Sequence, residues 1–256
     1  MHSEASLARA DRLNRDRNRF MAIAAQPAPS LAGIFRKQPV ETFARGETVV
    51  WEGDAAASVF EVIEGVLRVC RLLSDGRRVI TGFLYPGDLT GVSLQNHYLY
   101  TVEAVSRARL RRFARQRFQE EINRSPALRP QLFARLCDEM AAAQDQMVLL
   151  ARKNAEERVC SMLLAIARRM RSAGRPATLI ELPMTRLDMA DYLGLTLETV
   201  SRTMTSLASR GIITANGRHS LTIRRPEALV LMAGECDNDN ICHIETPHPP
   251  HAAWPN

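Results

Sequence analysis

The sequence predicts an α+β chain: a β-rich N-terminal half, then a long helix, then a helix-turn-helix with a β wing. Three observations carry this. Between residues 31 and 113, short apolar-alternating runs are broken by Gly46, Gly53, Gly65, Gly76, Gly82, Gly87 and Gly91, the texture of many short strands in a sandwich or small barrel. From Pro126 onward, apolar residues return at alternating three- and four-residue steps, which places them on one helical stripe. Between Thr185 and Leu207, two short helical patterns flank Gly194, the layout of a helix-turn-helix.

In chain order, residues 1–30 read as a flexible N-terminal arm, polar and then interrupted by Pro27 and Pro29. Residues 31–122 form the β domain. Its clearest strands are Val59 to Ile63, ending at Glu64-Gly65, and Val66 to Leu73, ending at Ser74-Asp75-Gly76-Arg77. Asp-Gly between two such runs signals a hairpin, because positive φ is cheap there. Residues 123–154 form the long helix, with Leu132, Leu136, Met140, Ala143, Met147 and Leu150 on its stripe. So narrow a stripe, flanked by Arg135, Glu139, Gln144 and Gln146, resembles a coiled-coil seam and predicts a homodimer interface. The competing reading buries the same stripe on the chain's own β domain. A second helix runs from Ala155 to about Ser172 and stops at Gly174 and Pro176; it opens the C-terminal domain, residues 155–233. Residues 234–256, with four prolines and few large apolar side chains, read as a disordered tail.

Composition narrows the function classes. The 256 residues are 46% hydrophobic and 24% charged, with a formal net charge of +6. Such a protein tends to meet polyanions, although charge alone does not separate nucleic acid from acidic membrane. Of its 34 basic residues only Lys37 and Lys153 are lysine, a compositional habit as much as a function. No apolar run is long enough to span a bilayer, and no charged-then-apolar leader precedes a cleavage site. Glu4, Asp11 and Asp16 in the Arg-rich start argue against a targeting peptide. Five scattered cysteines fit a reducing cytoplasm better than a disulfide framework. The expected location is cytoplasmic. A Gly-rich phosphate loop, a metal-binding His-Glu motif and a nucleophile elbow are all missing, so no enzyme is expected.

The informative chemistry lies in residues 185–223. Thr185 with Asp188 is a capping-box start. Leu187, Ala190, Tyr192 and Leu193 are expected to supply the inner face of the first helix. Gly194 ends it, where a left-handed residue turns the chain sharply. Thr196 caps the second helix, whose Val200, Met204 and Leu207 pack inward. That helix presents Glu198, Ser201 and Arg202 at i, i+3 and i+4, all on one face near the end that enters a major groove. Arg can fork onto guanine O6 and N7, Glu can accept from a cytosine amino group, and Ser can do either. The plainer alternative is a Glu198–Arg202 ion pair on a solvated face. Ile212 to Ala215 and Leu221 to Ile223 flank Asn216-Gly217-Arg218-His219, read as a hairpin wing with a type I′ turn. Thr185, Thr196, Arg210, Arg218 and His219 are candidates for contacts to the DNA backbone.

Arg152 to Arg158, Leu182 to Arg186, Tyr192 to Thr196 and Glu198-Thr199-Val200-Ser201-Arg202 resemble the Crp/Fnr superfamily of transcription regulators, in its FNR/FixK branch and closest to the FixK type. The resemblance spans roughly residues 31–233. It implies a cyclic-nucleotide-binding-like β-roll, a long dimerisation helix and a C-terminal winged helix-turn-helix. It also implies that Glu198, Ser201 and Arg202 read the TTGA half-sites of a palindrome in double-stranded DNA. The genes under control would serve microaerobic or anaerobic respiration, nitrogen fixation or denitrification. The hairpin loop, with Asp75, Gly76, Arg77 and Arg78, corresponds in the family to a contact with RNA polymerase.

The departures bear on cofactors. No cysteine precedes Cys70, so the ligands of an oxygen-labile iron–sulfur cluster are missing and none is expected. Gly87-Asp88-Leu89-Thr90-Gly91 keeps the nucleotide turn of the family. Val92 follows where the cyclic-AMP-binding members have Glu, and Leu99 and Tyr100 stand near the place of their Arg-Ser pair. Cyclic nucleotide is therefore not expected. His97, beside Tyr98 and Tyr100, is a haem-ligand candidate, with a surface histidine as the default. Cys236, Cys242, His243, His248 and His251 lack paired zinc-type spacing. Cys160 is a redox-switch candidate, with a buried structural thiol as the default. The alternative to a regulator without ligand is a haem- or small-molecule-gated sensor of the same superfamily.

Overall fold

In the computed structural model, the structure describes residues 29–235 except Leu94, Arg175 and Arg218. The expected arm up to residue 28 and the tail from Cys236 lie outside the described residues.

The N-terminal half is a roll of two four-stranded antiparallel sheets. One runs in the order β1 (Val40–Phe43), β8 (Ala108–Ala114), β3 (Ser58–Glu64), β6 (Leu89–Thr90). The other runs β2 (Thr48–Val50), β7 (Thr101–Ala104), β4 (Leu67–Leu72), β5 (Arg78–Leu84). Alternation along the strands builds the core: Phe60 and Val62 of β3 point between the sheets, where Phe43, Val50, Leu67, Val102 and Leu110 meet them. The other face of β3 is covered as well. Val59 packs with Phe113, its cross-strand partner, under Phe35 and Phe118, and Arg111 donates to the Glu61 carboxylate at 2.9 Å. Three phenyl rings in edge-on contact, Phe35 to Phe113 at 5.5 Å and Phe113 to Phe118 at 5.7 Å, seat α1 (Leu31–Phe35) and α2 (Arg115–Arg124) on the roll.

The predicted Asp-Gly hairpin joins β4 to β5 through Ser74-Asp75-Gly76. The Gly76 N–H donates to the Leu73 carbonyl at 2.9 Å, Leu73 N–H donates to Arg77 O at 2.8 Å, and Gly76 takes φ 82°, the three-residue loop with a left-handed glycine. The Asp75 carboxylate accepts from both the Arg77 backbone N–H and its guanidinium, which lowers its pKa.

The long helix, α3 (Leu128–Arg152), begins on the roll through buried Leu128, and Gln131 bonds both Leu31 N–H and Pro29 O. Beyond that, its stripe faces solvent. Leu136, Met140 (59% exposed), Ala143, Met147 (62%) and Leu150 are all uncovered, Leu132 is half-buried, and Phe133 and Val148 are exposed beside them. Of the stripe, only Leu132 packs against the roll, on the cluster of Phe35, Phe113 and Phe118; from Leu136 to Leu150 the stripe is not buried on the chain's own β domain.

The C-terminal domain packs α4 (Ala155–Ser172), α5 (Arg186–Leu193), α6 (Leu197–Ser209) and α7 (Pro226–Met232) with a sheet ordered β10 (Ile213–Ala215), β11 (Ser220–Ile223), β9 (Leu179–Glu181). Asn154 caps α4 in a full capping box with Glu157. Cys160 is fully buried in this domain's core, and burial pushes its pKa to about 12. The same cluster takes in Val66 and Val105 of the roll, so the two domains share apolar contact. Pro29, Ser30, Gly234 and Glu235 are tied down by polar contacts: Pro29 O accepts from Gln131, Ser30 caps α1, Gly234 N–H donates to Leu231 O, and Glu235 pairs with Lys153 and Arg168.

Candidate nucleic-acid interface

The α5–turn–α6 unit forms for the reasons its residues dictate. Thr185 Oγ1 accepts from Asp188 N–H at 3.1 Å, and Thr185 N–H donates back to Asp188 Oδ2 at 2.9 Å. Gly194 takes φ 61° and ψ 40° and ends α5. Thr196 Oγ1 accepts from Thr199 N–H at 3.1 Å to start α6. Val200, Met204 and Leu207 are buried, as is Thr203. One expectation fails: Leu187 is 51% exposed. Met189, with Ala190 and Leu193, holds the inner face instead. On a helix this short, two neighbouring apolar residues of similar size compete for one inward position, and periodicity does not choose between them.

With that inner face anchored, Glu198, Ser201 and Arg202 project to solvent from the first two turns of α6, with Thr205 one turn further on. Among the described residues no side chain engages the Glu198 carboxylate or the Arg202 guanidinium, so the two do not form the alternative ion pair. A carboxylate, a hydroxyl and a five-donor guanidinium on one exposed helical face can address base edges.

The backbone-contact candidates are placed unevenly. Thr185 and Thr196 stand at the two helix starts, each hydroxyl engaged in its cap. Arg210 pairs with Glu156 of α4 at 2.6 Å. His219 is exposed at the wing, its Nδ1 3.2 Å from the Leu182 carbonyl oxygen. Arg218 lies outside the described residues. The wing hairpin exists, β10 against β11, but not with a type I′ turn. Among the described residues of the loop Asn216 is not left-handed while Gly217 is, because four residues separate the strands rather than the two that need positive φ in succession.

At the roll's hairpin, Asp75, Gly76 and Arg77 sit at the exposed tip. Arg78 does not share that freedom. Its guanidinium binds Asp191 at 2.8 Å and Asp188 at 3.1 Å, so it joins the roll to α5. Burial works against the Arg78 charge, yet the Asp191 hydrogen bond and the two carboxylates outweigh it and hold its pKa up. Sequence reasoning assigned Asp188 its cap and missed this second partner. A signal was present: two acidic residues, i and i+3 on the first helix of a DNA-reading unit, repel a duplex unless something neutralises them.

The haem-ligand candidate His97 is exposed. Asp88 is spent on the Tyr85 N–H and on Arg169. Buried Tyr98 bonds both the N–H and the carbonyl of Ser58 through its hydroxyl, and Tyr100 Oη accepts from Gly91 N–H at 3.4 Å. The nearby Arg112 and Arg115 are bound to Ser58 Oγ and to the Ala56 and Gln95 carbonyls.

Comparison with known proteins agrees with this architecture. Residues 157–232 match the Crp-like helix-turn-helix domain family, and residues 40–125 match the cyclic nucleotide-binding domain family. The chain is 41% identical to the nitrogen fixation regulation protein FixK of Bradyrhizobium diazoefficiens, over 67% of this chain and 72% of that protein. It is 36% identical to the transcriptional activator protein FnrL of Cereibacter sphaeroides, over 82% and 86%. The solved structure of FixK2 from Bradyrhizobium japonicum superposes with a TM-score of 0.72 at 34% identity, covering 76% of this chain and 96% of that one. The residues present do not fit a cyclic nucleotide, despite the domain match: the Asp88 carboxylate, the Gly91 N–H and the Arg112 and Arg115 guanidinium groups are already engaged within the chain, and the buried polar atom of the turn left without a partner is the neutral Thr90 hydroxyl.

Proposed function

The chain belongs to the Crp/Fnr family of DNA-binding transcription regulators, and from that premise we propose that it acts as a homodimeric activator of the FixK type. In this reading two copies pair along the α3 stripe of Leu132, Leu136, Met140, Ala143, Met147 and Leu150, which buries an apolar face that one chain leaves in water. Two α6 helices then enter successive major grooves about one helical turn apart. Arg202 reads the guanine of each TTGA half-site, with Glu198 and Ser201 on the neighbouring bases, and Thr185, Thr196, Arg210, Arg218 and His219 form the set available for phosphates. The relatives named for nitrogen fixation and for transcriptional activation support microaerobic or nitrogen-fixation genes as the targets. The hairpin tip, Asp75 to Arg77, is the surface offered to RNA polymerase, and the cell's cytoplasm is where the protein works.

The single observation that carries this reading is the exposed, uncompensated trio Glu198, Ser201 and Arg202 on one face of a helix whose other face is locked in the core. The test is fluorescence anisotropy on a TTGAT-N4-ATCAA duplex and on duplexes altered at the guanine. Arg202→Ala is expected to lose about 1–3 kcal/mol of discrimination at that base pair. Binding of both duplexes by Arg202→Ala with the parent's preference intact would remove Arg202 from the reading set.

A further inference from the structure

The helix that carries the turn to α6 is gripped from two sides, and neither grip touches the reading face. On one side stands the roll. Arg68 binds Asp188 at 2.8 Å while also holding Glu103 at 2.6 Å, and Arg78 binds Asp188 and Asp191. Asp188 is only 2% exposed, so its charge has little water and depends on these guanidinium groups. Next to them, Phe83 of β5 meets Tyr192 of α5 edge-on at 5.3 Å. On the other side stands the end of the long helix. Arg158 donates to Leu150 O, Lys153 O and Leu193 O, each at 2.9 Å, and Gln146 Nε2 donates to Tyr192 O at 2.8 Å. One guanidinium thus caps the carbonyl ends of both α3 and α5.

We propose that Arg68 and Arg78 are positioning residues for DNA reading: by holding Asp188 and Asp191 they brace α5 against the roll and set α6 in its groove-entering pose before DNA arrives. The contact leaves Glu198, Ser201 and Arg202 all exposed, so it does not occlude the reading face. A pose fixed in advance spares the ordering cost at the moment of binding. In this protein the roll therefore serves as a rigid brace, in keeping with a nucleotide turn whose Asp88 carboxylate and Gly91 N–H are already engaged within the chain. A cleft of about 270 Å3, lined by Arg45, Gly46, Thr185 and Leu187 beside the ion pairs, leaves them within reach of solvent, so comparisons are made at one ionic strength.

The inference rests on the DNA-reading role proposed above, and the experiment separates the two. The parent, R78A, D191N and the double variant are titrated with the palindrome by anisotropy. Hydrogen exchange of the α5 amides is followed in the same proteins without DNA. Each single change is expected to weaken binding about tenfold and the double no further, the non-additivity of a shared contact. The α5 amides exchange faster in each variant, while circular dichroism and the near-isosteric Asp191→Asn change report an intact fold. Singles that bind as the parent does or tighter, losses that multiply in the double, or unchanged α5 exchange would each overturn the brace. If the parent itself ignores the palindrome, the reading role fails, and the exchange measurement alone decides whether the brace exists.

Discussion

Gly194 and Asp188 illustrate how differently single residues disclose their work. Gly194 is legible because its task is local: α5 must end and reverse within one residue, and φ 61° is a conformation that L side chains adopt only at a cost of about 1–2 kcal/mol. A Cβ there would also sit 3.4 Å from Arg158 Nη1 and Leu150 Cδ2. Gly194→Ala is therefore expected to lower stability by about that amount, read as a reduced urea midpoint; an unchanged midpoint means the turn relaxes to another conformation. Asp188 is half legible. Its spacing from Thr185 announced the cap, while its ion pairs to Arg68 and Arg78 join residues more than a hundred positions apart, which no local pattern encodes.

At the scale of elements, periodicity served α3 and α6 well. A 25-residue helix was announced by the three- and four-residue steps of its apolar side chains, and the inward Val200, Met204 and Leu207 followed from the same arithmetic. Short elements gave weaker signals. On eight-residue α5 the pattern chose Leu187 over Met189, and at the wing an Asn-Gly pair suggested a tighter turn than the four-residue connection that forms. The exposed stripe of α3 yields a prediction at this scale. Met140→Glu places a charge at the centre of the proposed seam in each partner, where burying it costs far more than an apolar contact returns. Sedimentation is expected to shift the variant from dimer toward monomer, with its circular dichroism kept. A variant that sediments as the parent does would place the seam elsewhere on the chain.

For the whole molecule, the buried thiols link the two domains to one pH response. Burial raises Cys70 in the roll from 9.0 to about 11 and Cys160 in the C-terminal core from 9.0 to about 12, and desolvation raises half-buried Tyr85 as well. A thiol that stays protonated in the fold, yet ionises in the unfolded chain near 9.0, makes the unfolded state the poorer proton binder above that value. Its stabilising contribution is complete below 9.0 and fades as pH climbs toward about 11 and then about 12. The urea midpoint is thus expected to fall steadily across that alkaline window, less steeply in Cys160→Ala. A flat midpoint would mean that both thiols are far more accessible than their packing implies. The same burial makes neither thiol a ready redox switch.

Local chemistry alone determined that this chain has a strand-rich half with an Asp-Gly hairpin, a long helix with an apolar stripe, and a capped helix-turn-helix presenting Glu198, Ser201 and Arg202. Each of these rests on contacts within a few residues, where spacing and side-chain type suffice. Only the tertiary structure decided that Arg78 turns inward to α5 rather than staying with the hairpin tip, that Tyr100 binds the Gly91 N–H of the nucleotide turn while Tyr98 binds Ser58, and that Arg158 caps two helices at once. Those outcomes depend on which distant segments meet, and a guanidinium or a phenol reads the same along the chain whichever partner folding brings to it.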